Sequence, residues 1–234
     1  MAKERSRKKN LGKPTHFVKP LRPAVSQAQI KALTELGPSA DKRGFYLAGG
    51  LALAFWLGHR TSADFDWFGR VKFGHGSVLA EALGNEGILI DDAKFGTGTL
   101  WGNFKSNKIS FFEYDYPLIA EPNKNDKAPC TLASLDDIAA MKLLALTQRS
   151  VKRDFVDIYF LLKSGMTLAH MFEMYKKKFD TVEIVQPLMG LQYFDGAEMT
   201  PMPDMIVAAD WETIKKTIFK ALGEFRKAER LKSE

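Results

Sequence analysis

The sequence predicts an α+β fold, in which a small mixed sheet with helices on one side is followed by a C-terminal helical region, and three observations predict it. Between Phe45 and Phe68 the chain reads FYLAGGLALAFWLGHRTSADFDWF, which places an apolar strand, a Gly-Gly turn, a short apolar helix and an Asp-x-Asp strand in immediate succession. Further strand-like runs follow as far as Tyr114. The stretch Pro117 to Pro129 then holds three prolines among Asn, Lys and Asp residues, and beyond it apolar residues recur at helical spacing. The chain accordingly divides into a basic tail over 1–24, a sheet-bearing core over 25–120 and a helical region over 130–234 that completes the cleft of the core.

In order along the chain, Ser26 to Leu36 reads as a helix, capped by Ser26 and stopped by Gly37-Pro38. The core then starts at Gly44. The strand, apolar helix and Asp-x-Asp strand are followed by a helix over Ser77 to Leu83 and by strands over Ile88 to Ile90, Thr97 to Phe104 and Lys108 to Tyr114. Asp91 and Asp92 follow one of these strands, but adjacent strand residues face opposite ways, which argues against a paired metal role. The aromatics from Phe111 to Tyr116 alternate as core on one side and packing on the other. Everything past Pro129 reads as helical. Ser134 and Asp137 have the spacing of a capping box that opens a helix to about Leu146. The next helix sets Phe155, Ile158, Tyr159 and Leu162 on one face, and others cover Leu168 to Lys177 and Trp211 to Lys227, the last with an inner stripe of Ile214, Ile218, Leu222 and Phe225.

Composition narrows the classes. A chain of 234 residues with 45% hydrophobic content can bury a full core, and no run approaches the roughly 18 apolar residues of a membrane span. The basic N-terminus lacks the apolar stretch of a signal peptide, so a cytoplasmic location is expected. The single Cys130 excludes an intramolecular disulfide, and the four scattered His leave no zinc-type cluster. Net charge is +6, but residues 1–13 hold six Lys or Arg and one Glu, so the tail carries +5 and the rest is close to neutral. Such a tail is expected to be disordered, serving solubility or non-specific affinity for RNA phosphates.

The chemistry is concentrated in the Gly-Gly and Asp-x-Asp segment. Residues two apart on a strand lie roughly 7 Å apart on one face, so Asp64 and Asp66 share a face while Phe65 and Trp67 bury on the other. Two aligned carboxylates suit Mg²⁺, or Mn²⁺, which is usually held by one or two carboxylates together with substrate phosphates. Gly49 and Gly50, without Cβ atoms, let phosphate approach backbone N–H groups at the positive end of the Leu51 to Leu57 helix. This order points to a metal-dependent nucleotidyltransferase with an NTP as substrate. Arg60 and Ser62 are placed to contact phosphate or ribose. His59, without a second ligand at suitable spacing, is expected to hydrogen-bond locally rather than to bind metal.

The run AGGLALAFWLGHRTSADFDWF resembles the first signature of the AbiEii/AbiGii-type nucleotidyltransferase toxin family, within the polymerase-β-like minimal nucleotidyltransferase superfamily. MKLLALTQRSVKRDFVDIYFLL, from Met141 to Leu162, is similar to that family's lysine-bearing helix followed by an R-D-x-x-D helix. The composition of Ile138 to Leu146 leaves Lys142 either snorkelling to solvent or projecting into a cleft. The resemblance implies the cleft, with Lys142 neutralising charge as diphosphate leaves. Spacing alone makes Asp154, Asp157 and Arg153 a surface ion-pair ladder, with Arg153 reaching Asp157 at i+4; the resemblance implies that Asp157 is a site residue orienting Lys142 or a nucleotide group. It further implies transfer of a nucleoside monophosphate to an RNA such as a tRNA 3′ end, or to a protein, by a toxin of a bacterial toxin-antitoxin or abortive-infection system with a cognate antitoxin. One departure stands out. The strand Lys108-Ile109-Ser110-Phe111-Phe112-Glu113 carries Ser110 where the superfamily's third carboxylate is expected, and Glu113 has the opposite facing parity. The alternatives are therefore a catalytically inactive nucleotide-binding scaffold, or an RNA-binding protein working through its tail.

Overall fold

The computed structural model describes residues 23–124 and 128–232; residues 1–22 of the expected 1–24 tail and residues 125–127 of the proline-rich stretch lie outside the described residues. Helix α1 (Gln27–Lys42) opens at a capping box, with the Gln29 N–H donating to Ser26 Oγ at 3.2 Å and the Ser26 N–H donating to Gln29 Oε1 at 3.0 Å. It does not stop at Gly37-Pro38 as expected. Leu33, Leu36, Ser39 and Ala40 continue one buried face across the proline, and that burial outweighs the missing N–H. Gly37 serves close packing instead of termination: a Cβ there would fall 2.8 Å from Cys130 Cβ and 3.0 Å from the Pro129 carbonyl. Cys130 is buried, and desolvation pushes its thiol up to about 12, so it is an inert core residue.

Strand β1 (Tyr46–Leu47) leads into helix α2 (Gly49–Leu57), and β2 (Phe65–Gly69) returns antiparallel to β1. After α3 (Gly76–Gly84) come β3 (Asp91–Gly96), β4 (Thr99–Phe104) and β5 (Asn107–Glu113). The strand expected over Ile88 to Ile90 is displaced to β3. Ile88 is buried, and Ile90 presses on the bare Cα of Gly102, where a Cβ would meet it at 2.4 Å, so these residues anchor the chain before pairing begins. Asp91 and Asp92 thus open β3 rather than follow a strand; both are exposed, and Asp92 has φ +50° beside a register shift in the ladder.

Two further strands lie where none was expected. β6 (Asn123–Lys124) falls within the proline-rich stretch and pairs with β7 (Thr131–Leu132), which in turn pairs parallel to β1. Among the described residues the result is a seven-stranded mixed sheet in the order β3-β4-β5-β2-β1-β7-β6. The remaining elements are helical: α4 (Leu135–Gln148), α5 (Lys152–Lys163), α6 (Leu168–Phe179), two short helices α7 (Val185–Gly190) and α8 (Asp195–Glu198), and α9 (Trp211–Lys232). The expected inner stripe of α9 is buried.

The faces of β2 and β5 decide where chemistry can occur. These strands pair parallel, with Phe65 opposite Ile109, Asp66 opposite Ser110, Trp67 opposite Phe111 and Phe68 opposite Phe112. Phe65, Trp67, Ile109 and Phe111 point into the core, with the Trp67 and Phe111 rings stacked at 5.8 Å, and each buried ring is worth roughly 1.5–3 kcal/mol. The opposite face carries Asp66, Phe68, Ser110 and Phe112, and part of it looks toward α4. The Asp137 carboxylate on α4 accepts the buried Lys178 amine at 2.7 Å and the Ile119 N–H at 3.1 Å. Lys178 also donates to the Pro117 carbonyl at 3.0 Å, so the start of the proline-rich stretch is bonded to the helices.

Candidate active site

The start of α2 is built by close approach. Gly49 has φ +67°, and a Cβ on it would lie 2.8 Å from Asp66 Oδ2. A Cβ on Gly50 would lie 2.6 Å from the Arg60 Nη2 and 2.7 Å from Ser62 Oγ. The two glycines therefore make room for the protein's own polar groups, and Asp66, Arg60 and Ser62 converge on the helix N-terminus. Asp66 lies in β2, while Asp64 stands just ahead of it and is partly exposed. Burial, and then the charge of Asp64, push the Asp66 carboxyl above its usual range, against the pull of Lys142, Arg149 and Arg153.

Behind this start lies a buried ion network. Asp157 Oδ1 accepts Arg60 Nε at 2.6 Å and meets His59 Nε2 at 2.7 Å; its Oδ2 accepts Arg60 Nη2 at 2.8 Å and pairs with Lys142 Nζ at 2.6 Å. Lys142 also donates to Asp154 Oδ1 at 2.9 Å, and Arg149 Nε donates to Asp154 Oδ2 at 2.7 Å. Asp154, Asp157 and His59 are fully buried, and Arg60 and Lys142 nearly so. Burial opposes the charge on Asp157, yet Lys142 and Arg60 hold its carboxyl well below the usual range; at Asp154 Lys142 and Arg149 outweigh burial and lower the carboxyl. Burial keeps His59 below its ordinary value despite Asp157, and its Nδ1 has no hydrogen-bond partner among the described residues. Four carboxylates, Asp64, Asp66, Asp154 and Asp157, thus meet four cations, Arg60, Lys142, Arg149 and Arg153, the last 3.9 Å from Asp64.

The geometry revises several expectations. Lys142 lines the cleft, as the resemblance implied, while Asp154 and Asp157 form no surface ladder, because helices α4 and α5 press these groups together out of water. Arg153 turns to Asp64 instead of Asp157. The His59 bond is not local, since 98 residues separate it from Asp157. The main chain around Arg60 is pinned from afar: the Ile206 and Val207 N–H groups donate to the His59 carbonyl, and the Thr61 N–H donates to the Asp204 carbonyl at 2.9 Å. Spacing assigned Asp154 and Arg153 no more than a surface ladder and gave Arg149 no role; the signal for all three was their clustering in RSVKRD between two helices.

Two clefts meet at the Asp-x-Asp segment. One, of about 340 Å³, has Gly49, Asp66, Lys142 and Arg149 at its polar end and Phe68, Phe112, Tyr114 and Met141 along its walls. The other, of about 390 Å³, is lined by Arg60, Ser62, Asp64, Arg153 and the turn Thr200 to Pro203. A larger cleft of about 470 Å³ between the start of α6 and α9 contains none of these residues. Ser110 lies beside Asp66 on the same face, as its position predicts. Glu113 is committed elsewhere, accepting the Phe73 and Gly74 N–H groups at 2.7 Å each.

A glycine-started helix over a strand carboxylate, with cations lining a cleft between sheet and helix, is the arrangement expected of a nucleotidyltransferase. The family model of the nucleotidyl transferase AbiEii toxin, of type IV toxin-antitoxin systems, matches residues 110–230. An uncharacterized protein of Aquifex aeolicus (strain VF5) is 33% identical over 205 residues, covering 86% of this chain and 97% of the relative. Two solved structures are similar in outline. JHP933 from Helicobacter pylori has 19% identity and a TM-score of 0.44, covering 89% of this chain and 94% of its own. MenT4, a nucleotidyltransferase toxin from Mycobacterium tuberculosis H37Rv, has 16% identity and a TM-score of 0.45, covering 85% of this chain and 86% of its own. The chain belongs to the AbiEii nucleotidyl transferase toxin family.

Proposed function

We propose that the protein transfers a nucleoside monophosphate from an NTP to the 3′ hydroxyl of an RNA, acting as a cytoplasmic toxin held in check by a cognate antitoxin. The observation that carries this reading is the placement of Asp66, which stands against the bare Gly49 flank, beside Asp64, and across the cleft from Lys142 and Arg149. Among the described residues no helix is long and apolar enough to cross a membrane.

The donor set fits a hard divalent cation. Asp64 and Asp66 are two oxygen donors, the second lifted by burial and then by the charge of the first, and such a pair plus substrate phosphates is the usual Mg²⁺ environment. Asp64 and Asp66 would hold Mg²⁺ or Mn²⁺, whose chemistry is to polarise the α-phosphate and stabilise the departing diphosphate. The backbone at the start of α2 offers N–H groups and a helix dipole to the phosphates. Lys142 donates to Asp154 and is ion-paired with Asp157, and with Arg149 it places positive charge where diphosphate accumulates negative charge. Asp157, fully buried and absent from the lining of both clefts, is a positioning residue that holds Arg60 and Lys142, and Arg60 itself lines the second cleft. Phe112 and Tyr114 supply an aromatic wall for the base. The acceptor oxygen bonds to the α-phosphorus, the bond to the bridging oxygen breaks, and diphosphate leaves with that electron pair. The acceptor proton passes to water in the open cleft, because Ser110 offers no carboxylate to take it.

Ser110 also favours a second reading, a nucleotide-binding scaffold without turnover. Incubation with Mg²⁺, each α-labelled NTP and total cellular RNA and protein separates the two. Wild type incorporates label, and Asp66→Ala loses on the order of 10²–10³-fold or more while keeping its fold. Metal-dependent NTP binding with no incorporation by wild type would establish the scaffold, and undiminished transfer by folded Asp66→Ala would refute the site.

A further inference from the structure

We propose that the sheet face carrying Ser110 is a docking platform for the single-stranded 3′ end of the RNA acceptor; this rests on the transfer reading above and names where its second substrate lies. The register sets four residues in one row across four strands: Asp66 pairs with Ser110, Ser110 with Trp101, and Trp101 with Lys94. Paired residues project from the same face, and neighbouring strands lie about 4.8 Å apart, so Trp101 stands about 10 Å and Lys94 about 14 Å from Asp66 along the backbone.

The chemistry of that row suits a nucleic acid strand. Trp101 is 41% exposed in the middle of a strand whose neighbouring residue Leu100 is fully buried. Its ring leans over Gly96, where a Cβ would touch it at 3.4 Å, and meets edge-on the Phe112 ring that lines the Asp66 cleft, at 6.4 Å and 82°. An indole held by its neighbours and open on a wet face offers a base a stacking surface. Lys94 and Lys108 are exposed, and Lys108 lies two residues from Ser110 on its face. Neither amine has an ion-pair partner among the described residues, whereas Lys105 is paired with Glu35, and Lys72 with Asp115 and Glu113. The acidic pair Asp91 and Asp92 opens β3, where Asp91 pairs with Asn103 and Asn103 with Lys108, and Asp92 accepts from Asn103 Nδ2 at 3.1 Å; both carboxylates lie outside the Asp66 to Lys94 row. An aromatic plane with unpaired cations beside it matches bases and phosphates better than it matches a peptide side chain. The terminal hydroxyl would arrive over Ser110, the strand partner of Asp66.

The test uses the full chain and a fluorescein-labelled single-stranded RNA hexamer with a free 3′ hydroxyl, measured by anisotropy with chelator and no NTP. Trp101→Ala weakens binding on the order of tenfold or more, and Trp101→Phe, which keeps a ring, restores most of it. Lys94→Ala with Lys108→Ala lowers the slope of log K against log salt by about 1.4, from about 0.7 per phosphate contact on a single strand. All variants share the same basic tail, so the differences report the face. Equal binding by wild type and Trp101→Ala, an equal loss in Trp101→Phe, or an unchanged salt slope would overturn the platform. So would labelled NTP modifying protein and not RNA. RNA binding lost in the platform variants, with no label transferred by wild type, would keep the platform and remove the transfer reading.

Discussion

Asp157 carries the largest burden of any single side chain here, because three buried partners, Arg60, Lys142 and His59, converge on it. Removing its charge leaves the two cations buried without full compensation, so Asp157→Asn is expected to cost about 3–5 kcal/mol in urea unfolding at neutral pH. The folded-state carboxyl sits well below its ordinary value, so its contribution is complete above the unfolded pKa and lost only as pH falls toward the folded one. The gap between wild type and Asp157→Asn should hold from pH 7 to about 5 and narrow below about 4. A gap that widened in acid would contradict the assignment. Sequence spacing showed Asp157 near Arg153 on one helix; it could not show Arg60, which lies 97 residues away and is brought there only by the packing of α5 beside the start of α2.

At the scale of elements, two glycines inside helices make opposite predictions. Gly223 in α9 has nothing within 4 Å of a built Cβ, so Gly223→Ala should raise stability by about 1 kcal/mol through helix propensity alone. Gly37 in α1 faces the Cys130 side chain and the Pro129 carbonyl, and the carbonyl belongs to a backbone that cannot turn aside. Gly37→Ala should therefore cost about 1–3 kcal/mol despite the same propensity gain. Urea midpoints of both variants check the pair, and a stabilised Gly37→Ala would mean the contact is not tight. The helix start at Ser26 was legible because a capping box is local, as was the buried stripe of α9 because periodicity is local. The end of α1 was not legible, because Gly-Pro stops a helix only when no tertiary burial rewards its continuation.

Across the whole molecule, the sheet ties the front and rear of the chain together. β1 lies between β2 and β7, Trp56 Nε1 donates to the Ala133 carbonyl at 3.0 Å, and Lys178 and Asp137 grip the chain at Pro117 and Ile119. Residues 25–120 expressed alone should consequently show no cooperative thermal transition by circular dichroism, since the cut strips the partner from one edge of β1 and α4 from the sheet. A sharp melt of that fragment would show that the front half holds its own core. By itself the sequence determined the α+β class, the glycine-started helix followed by the strand that carries Asp66, the helix carrying Lys142 and the conspicuous Ser110, because each depends on spacing within one element or on two adjoining ones; Asp64, expected on that strand, stands just ahead of it. Only the tertiary structure decided that Lys142 and Asp157 are buried in one ion network with Arg60, that β7 completes the sheet beside β1, and that Trp101 stands in line with Asp66. Those facts depend on which distant segments share a dielectric boundary and a hydrogen-bond register, and no local pattern of residues encodes either.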